Sequence, residues 1–318
     1  MKEYVIRRIV QGAIVVIIVT LLVFFVMRFL PGDPILMFIT RDDAGKASAE
    51  RIAALRHEFG LDRSVVVQYI DWVSGVARGN LGTSMVYRTG VMGMVAKSLP
   101  ITIHLGALAF LLGIIVGIPV GVISAVRRGG WLDTTMTVFA NLGITVPIFW
   151  LGVLMIYVFG LNLRLLPIFG YTSPLDDFWL STRQSVMPVI CLSVFGIASA
   201  ARQTRSSMLE VIRQDYIRTA WSKGLNERTV ILRHALKNGL IPIVTLKGMT
   251  IRNIFGGSVL VESVFNVPGM GRLAVDAILA QDYAIVQGVI LVVAVVVVVA
   301  NIVVDLSYGW LDPRIRYG

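Results

Sequence analysis

The chain has 318 residues, 56% of them hydrophobic and 15% charged, with a formal net charge of +10. Soluble domains run at about 45–50% apolar and about 25% charged, so both departures exclude an ordinary water-soluble domain, and long apolar blocks without heptads exclude disorder and a coiled-coil rod. A single cysteine, Cys191, excludes a disulfide scaffold, and its setting Val189-Ile190-Cys191-Leu192 reads as packing rather than as a reactive thiol.

A bilayer core about 30 Å thick is crossed by about 20 mainly apolar helical residues. Six stretches qualify, which predicts an all-α polytopic membrane protein. The first expected span is 9–29. Lys2, Arg7 and Arg8 imitate the basic start of a secretory signal, but the apolar core is too long and no small-x-small cleavage pattern follows. The expectation is a retained anchor whose amino terminus lies inside. Pro31-Gly32-Asp33-Pro34 then stops the helix.

An external segment follows over 31–98. Ile52, Leu55 and Phe59 recur at helical spacing before Gly60, and a second helix capped by Ser64 places Val66, Tyr69, Ile70, Val73 and Val76 on one face. Those apolar faces need cover from the chain's own spans, the membrane surface or an external partner. Spans two and three, 99–126 and 132–160, exceed the bilayer and must tilt or project. Span four, 188–209, ends among Arg202 and Arg205.

The internal connection at 210–238 carries Asp215 as an N-cap, then Tyr216-Ile217-Arg218-Thr219-Ala220-Trp221-Ser222-Lys223, with Gly224 as a stop before Leu225. A helix of about two turns is not stable alone, so it needs packing contacts. Ile217, Ala220, Trp221 and Leu225 make an apolar stripe that a free connector does not require. A further helix starts at the Asn226 cap and carries Val230, Ile231, His234 and Ala235 toward span five.

Span five, 240–261, contains Lys247 and Arg252. The helical rise puts them about 12 Å and about 20 Å deep and about 140° apart, so they do not share one narrow face. Charges at that depth are functional suspects. Thr245, Met249 and Arg252 follow a common stripe with Gly256, which suits the lining of an aqueous path; snorkelling or structural pairing is the alternative. Span six is 284–304. The domains expected are therefore 1–30 (tail and first span), 31–98 (external), and 99–318 (five spans with the internal loop 210–238).

With an internal amino terminus, fifteen basic and seven acidic residues fall inside, a net +8, while twelve of each sign cancel outside and Lys247 with Arg252 supplies the rest. That asymmetry follows the positive-inside rule and makes nucleic acid unnecessary as a partner. No phosphate-binding loop, metal-ligand spacing or catalytic constellation is present, and His57, His104 and His234 are scattered over different elements. Neither catalytic nor metal-binding residues are expected.

The sequence resembles the inner-membrane permease subunits of binding-protein-dependent ABC importers for dipeptides, oligopeptides and nickel. The resemblance covers almost the whole chain, through Pro31-Gly32-Asp33-Pro34, Gly79-Asn80-Leu81-Gly82-Thr83-Ser84, Gly117-Ile118-Pro119-Val120-Gly121, Pro147-Ile148-Phe149-Trp150, Thr204-Arg205-Ser206-Ser207-Met208, Asp215-Tyr216-Ile217-Arg218-Thr219-Ala220, Pro268-Gly269-Met270-Gly271-Arg272 and Asp312-Pro313-Arg314-Ile315-Arg316. It implies that Asp215 to Leu225 form a coupling helix docking on an ATPase subunit. It also implies a second homologous permease, as a heterodimer, two ATPase subunits that use ATP and Mg, an extracytoplasmic binding protein, and a prokaryotic inner membrane with both termini cytoplasmic. No cofactor belongs to this chain itself. General ABC permeases carry Glu-Ala-Ala, then glycine, then Leu-Pro; this chain has Arg218-Thr219-Ala220 and Gly224, with its proline later at Pro242, a departure similar to the peptide subgroup. Lys247 and Arg252 depart further and suggest a substrate with an anionic group.

The rival readings are a stand-alone secondary transporter or channel, a membrane-integral enzyme and a structural anchor. The first calls for carboxylates deep in the spans, whereas Asp133 and Asp305 lie at span ends.

Overall fold

In this computed structural model, residues 2–29, 35 and 49–311 are described. The motifs at Pro31 to Pro34 and Asp312 to Arg316 lie outside them. The described residues form helices, with one isolated bridge between Thr83 and Gly90. They fall into two compact units, the first within Met1–Ile101 and Pro268–Ile302, the second within Thr102–Val267 and Val303–Ile315.

In the first unit, α1 (Lys2–Phe29) starts well before the expected Ile9, so Arg7 and Arg8 are helical. Next come α2 (Ala49–Glu58) and α3 (Val65–Ala77). Gly60, at φ +63°, ends α2 as expected. Ser64 occupies the N-cap of α3, but its side chain makes no cap hydrogen bond. The buried side of α3 also differs from the expectation. Val66 and Ile70 are exposed, while Tyr69 meets the Phe24 ring of α1 edge-on and Trp72 stacks on it, with ring centroids 5.3 and 6.0 Å away. Apolar residues stand on both sides of this helix, and the large flat aromatics bury more area per side chain than valine does.

After α3, Gly79 and Gly82 take φ of +80° and +91° and turn the chain back. The loop that follows is held from a distance by Asp282, fully buried at the start of α13 (Tyr283–Leu311). Its carboxylate accepts from Ser84 Oγ at 2.5 Å, Val86 N at 3.1 Å and Ile285 N at 3.3 Å. Met27, Leu81, Val91, Val95, Ile285, Val286 and Val289 form the core, joined by Met270 and Ala277 of α12 (Met270–Leu279).

The second unit is built on α4 (Val91–Val126), which also contributes residues to the first, and on α7 (Phe178–Val211). A Cβ on Gly117 would lie 2.6 Å from Ala200 Cβ, and one on Gly121 would lie 2.5 Å from the Ala201 carbonyl oxygen. This small-x-x-x-small stripe lets the two backbones touch. The expected continuous third span is broken instead. α5 (Trp131–Thr145) and α6 (Ile148–Met155), the latter continuing as a π-helical stretch Ile156–Asn162, meet at a 104° bend. Pro147 has no N–H to continue the ladder and pushes Val146 to an extended conformation, φ −68° and ψ 125°.

Among the described residues, four helices are long and apolar enough to cross a membrane, within α1, α4, α7 and α13, and five if the bent pair counts as one span. The remaining expected span, 240–261, is helical as α11 (Ile241–Val264). The side chains of Thr245, Lys247, Met249 and Arg252 lie outside the described residues. Near the end of α11, Glu262 is fully buried and accepts from Thr102 Oγ1 at 2.6 Å.

Candidate functional site

Between α7 and α11 the chain leaves the long helices and makes a short one, α8 (Asp215–Ser222). Gln214, at φ −72° and ψ 149°, is the N-cap, so Asp215 is the first helical residue rather than the cap. There its carboxylate faces the positive end of the helix dipole. At the other end Lys223 N donates to the Thr219 carbonyl at 3.1 Å and Gly224 N to that of Trp221 at 2.9 Å. Gly224 takes φ +74°, the left-handed stop expected of it. Asn226 caps the next turn, α9 (Glu227–Thr229), by accepting from Thr229 N at 2.9 Å; a π-helical stretch Val230–Ala235 and α10 (Leu236–Gly239) lead to α11.

An eight-residue helix needs tertiary contacts, and α8 has them. Ile217 and Ala220 are buried in a cluster with Ala125 at the end of α4, Met208 in the last turns of α7, and Val230 and Ala235; Leu225 packs at its edge. Trp221 does not belong to this buried stripe: it is 45% exposed, beside Tyr216 at 43%. Tyr216 is positioned by Asn238, whose Nδ2 donates to its hydroxyl at 3.0 Å. The outer face is therefore Tyr216, Arg218, Thr219, Trp221, Ser222 and Lys223, an aromatic and basic surface on a helix whose other side is fastened to two long helices. The Arg218–Asp215 contact, 3.6 Å and exposed, adds almost nothing to stability.

A second feature, absent from the sequence reading, braces the same end of the unit. Asp133 in the first turn of α5 accepts from Arg205 of α7 at 2.7 and 2.9 Å, from Ser124 Oγ of α4, and from Gly129 N at 3.0 Å. One carboxylate thus ties three helices and the turn between two of them. Arg202, one turn earlier, donates to Asn141 Oδ1 at 2.7 Å. Beside them is a cavity of about 680 Å³ that includes Arg128, Arg202, Arg205, Arg213, Asn141 and Glu210 in its wall. The sequence did carry a trace of this clamp, since an aspartate and an arginine at two span ends each need an opposite charge.

The remaining candidates are placed plainly. Cys191 is buried against Met155, sulfur to sulfur 3.6 Å. His57 pairs with Asp62 at 2.7 Å on the surface, and that hydrogen bond holds the Asp62 carboxyl below its ordinary pKa. His104 bonds the Tyr171 hydroxyl at 2.9 Å.

Helices of membrane-crossing length, glycine-mediated crossing, and a surface helix seated on the ends of two of them describe an all-helical protein suited to a membrane, with an exposed aromatic and basic face beside its long helices. Residues 117–317 match the family described as binding-protein-dependent transport system inner membrane component, and residues 1–106 match the N-terminal part of such membrane components. The chain belongs to this family and is a permease subunit of an ABC importer. It is similar along its whole length to a probable peptide ABC transporter permease protein of Sinorhizobium fredii, 41% identical over 318 residues and covering 100% of both chains. It is likewise similar to the dipeptide transport system permease protein of Escherichia coli, 37% identical over 342 residues, covering 100% of this chain and 99% of that one. Among solved structures, the inward-facing MetNI methionine ABC transporter shares the fold at a TM-score of 0.59 and 18% identity, over 70% of this chain and 97% of that chain. Family membership places the protein in the inner membrane and implies ATPase subunits and a substrate-binding protein as partners.

Proposed function

We infer that this chain forms one half of a path for the import of dipeptides or oligopeptides, paired as a heterodimer with a second, similar permease. Two ATPase subunits that bind ATP and Mg drive it, and an external binding protein delivers the substrate. The naming of full-length relatives as peptide and dipeptide permeases supports the substrate class. In this reading the chain crosses the membrane six times, with α11 and the bent α5–α6 pair each counted once, and both termini lie in the cytoplasm. Residues 1–30 are the anchor, 31–98 the external segment and 99–318 the transport domain.

α8 and the turn to Leu225 act as the coupling helix. The observation that carries this is its two-sided build: Ile217 and Ala220 are fastened to the ends of α4 and α7, while Tyr216, Arg218 and Trp221 face outward. In the same reading the path runs along the Thr245, Met249 and Arg252 stripe of α11, with Lys247 the second candidate on another face, and a cation on the path favours substrates with an acidic group.

The test is reconstitution with the partner permease and ATPases. Trp221→Ala removes an exposed aromatic anchor, worth about 2 kcal/mol or more at an interface hot spot, and so weakens ATPase docking about thirtyfold with the melting temperature of the permease unchanged. Full uptake and full stimulated ATPase activity in that variant would refute the docking role. For the path, Lys247→Met and Arg252→Met should shift uptake from acidic toward neutral peptides; an unchanged preference removes that assignment.

A further inference from the structure

The cavity of about 680 Å³ beside the Asp133–Arg205 clamp carries more positive charge than its own residues balance. Its wall holds four guanidinium groups against one carboxylate, Glu210: Arg128 in the turn between α4 and α5, Arg202 and Arg205 on α7, and Arg213 just past the end of α7. Arg205 is matched by Asp133, so two positive charges remain once Glu210 is counted. Arg202 gives one N–H to Asn141 Oδ1, and among the described residues no hydrogen bond or ion pair engages the guanidinium of Arg128 or of Arg213. Both residues are exposed, so their donors are open to a ligand rather than sealed in packing. Like charges around one cavity repel each other, and an anion between them turns that repulsion into attraction.

A second cavity, of about 240 Å³, points to what the anion is attached to. It shares Val120, Met136, Ala140 and Ala201 with the first and continues between α5 and α7 past Gly143 to Val194, and every residue in its wall is apolar. From Arg205 to Val194 the helical rise is about 16 Å, so this groove leads from the arginines well into the span of α7. Trp131, the first residue of α5 and 75% exposed, stands at the same end of the helices, and an indole so placed suits the headgroup level of a bilayer. A soluble anion has no use for the groove, and an uncharged lipid has none for the arginines. A molecule with a phosphate at one end and an alkyl chain at the other uses both.

We propose that the two cavities together bind one anionic phospholipid, its phosphodiester among Arg128, Arg202 and Arg213 and an acyl chain in the groove between α5 and α7. Placing that lipid in the inner leaflet rests on the orientation in which α8 faces the cytoplasm; the binding itself does not.

The test is native mass spectrometry of the complete transporter in detergent, titrated with dimyristoylphosphatidylglycerol and with dimyristoylphosphatidylcholine, which has the same chains and no net charge. The anionic lipid binds saturably and at least about tenfold more tightly than the neutral one. Arg128→Gln and Arg213→Gln each weaken its binding about fivefold. Ala140→Leu, which fills the groove where the cavities join, weakens it at least as much, and the melting temperature of the lipid-free transporter stays unchanged in all three variants. Glycerophosphoglycerol, the same headgroup without chains, binds at least about a hundredfold more weakly. Equal affinity for the two lipids, undiminished binding in both arginine variants, or undiminished binding in Ala140→Leu overturns the proposal. So does equal competition by glycerophosphoglycerol or inorganic phosphate, which marks a site for soluble anions, and so does displacement by dialanine, which marks an inner mouth of the transport path. Lipid binding is read without transport, so it stands or falls apart from the peptide-import reading.

Discussion

Asp133 accepts from Arg205, Ser124 and Gly129 at once, and Arg205 gives it two N–H bonds across from α7. A buried pair of this kind adds little net stability over an apolar replacement, yet removing one partner strands the other. Arg205→Met is expected to cost about 2–4 kcal/mol, the upper limit lowered because Arg205 is one-third exposed. The double variant Asp133→Asn with Arg205→Met should lose at least about 1 kcal/mol less than the two single losses together. Thermal unfolding of the purified subunit complex measures both. Asp282 makes the corresponding prediction in the other unit: Asp282→Ala should accelerate hydrogen exchange at the Val86 and Ile285 amides, whose acceptor it is, before any global unfolding.

For the elements, the closest constraint is the crossing of α4 and α7. Gly121→Ala drives a methyl to 2.5 Å from a backbone oxygen that cannot swing aside, and about 1–3 kcal/mol of overpacking follows. Gly93→Ala, on the same helix with nothing within 4 Å of its new Cβ, should be neutral or gain at most about 1 kcal/mol. Equal effects of the two on the melting temperature would show that the crossing is not tight. The helices, and stops such as Gly60 and Gly224, were legible in the sequence because they are set by local chemistry: apolar length, cap residues, and the one residue type that takes positive φ without strain. The bend at Pro147 was just as local, but continuous hydropathy across 132–160 masked it. What could not be read was any choice between two apolar sides. Val66 and Ile70 looked as buriable as Tyr69, and Trp221 looked like part of the Ile217 stripe; only the neighbouring helices decide. The Asp133–Arg205 clamp and the Ser84–Asp282 bond join residues far apart in the chain, and no spacing rule reaches them.

At the scale of the whole molecule, the α8 seat and the glycine crossing act on the same long helix. Gly117 and Gly121 meet α7 near Ala200, while α8 is packed against its last turns around Met208. Taking about 1.5 Å per residue, α7 extends about 16 Å from that contact to Val211 and about 33 Å the other way to Phe178. A rod pinned at a point one-third of the way along is a lever with unequal arms. An ångström of push delivered by a closing partner through the α8 seat at Met208, about 12 Å from the fulcrum, would emerge as up to about 3 Å at the Phe178 end, less whatever Pro188, inside the long arm, absorbs by flexing. Displacements of spin labels at the two ends of α7, each measured against a reference label on the partner permease over the ATP cycle, should stand at about one to two. A fulcrum made of glycine gives mechanical advantage in displacement at the expense of force, which suits a gate that must move far against little load.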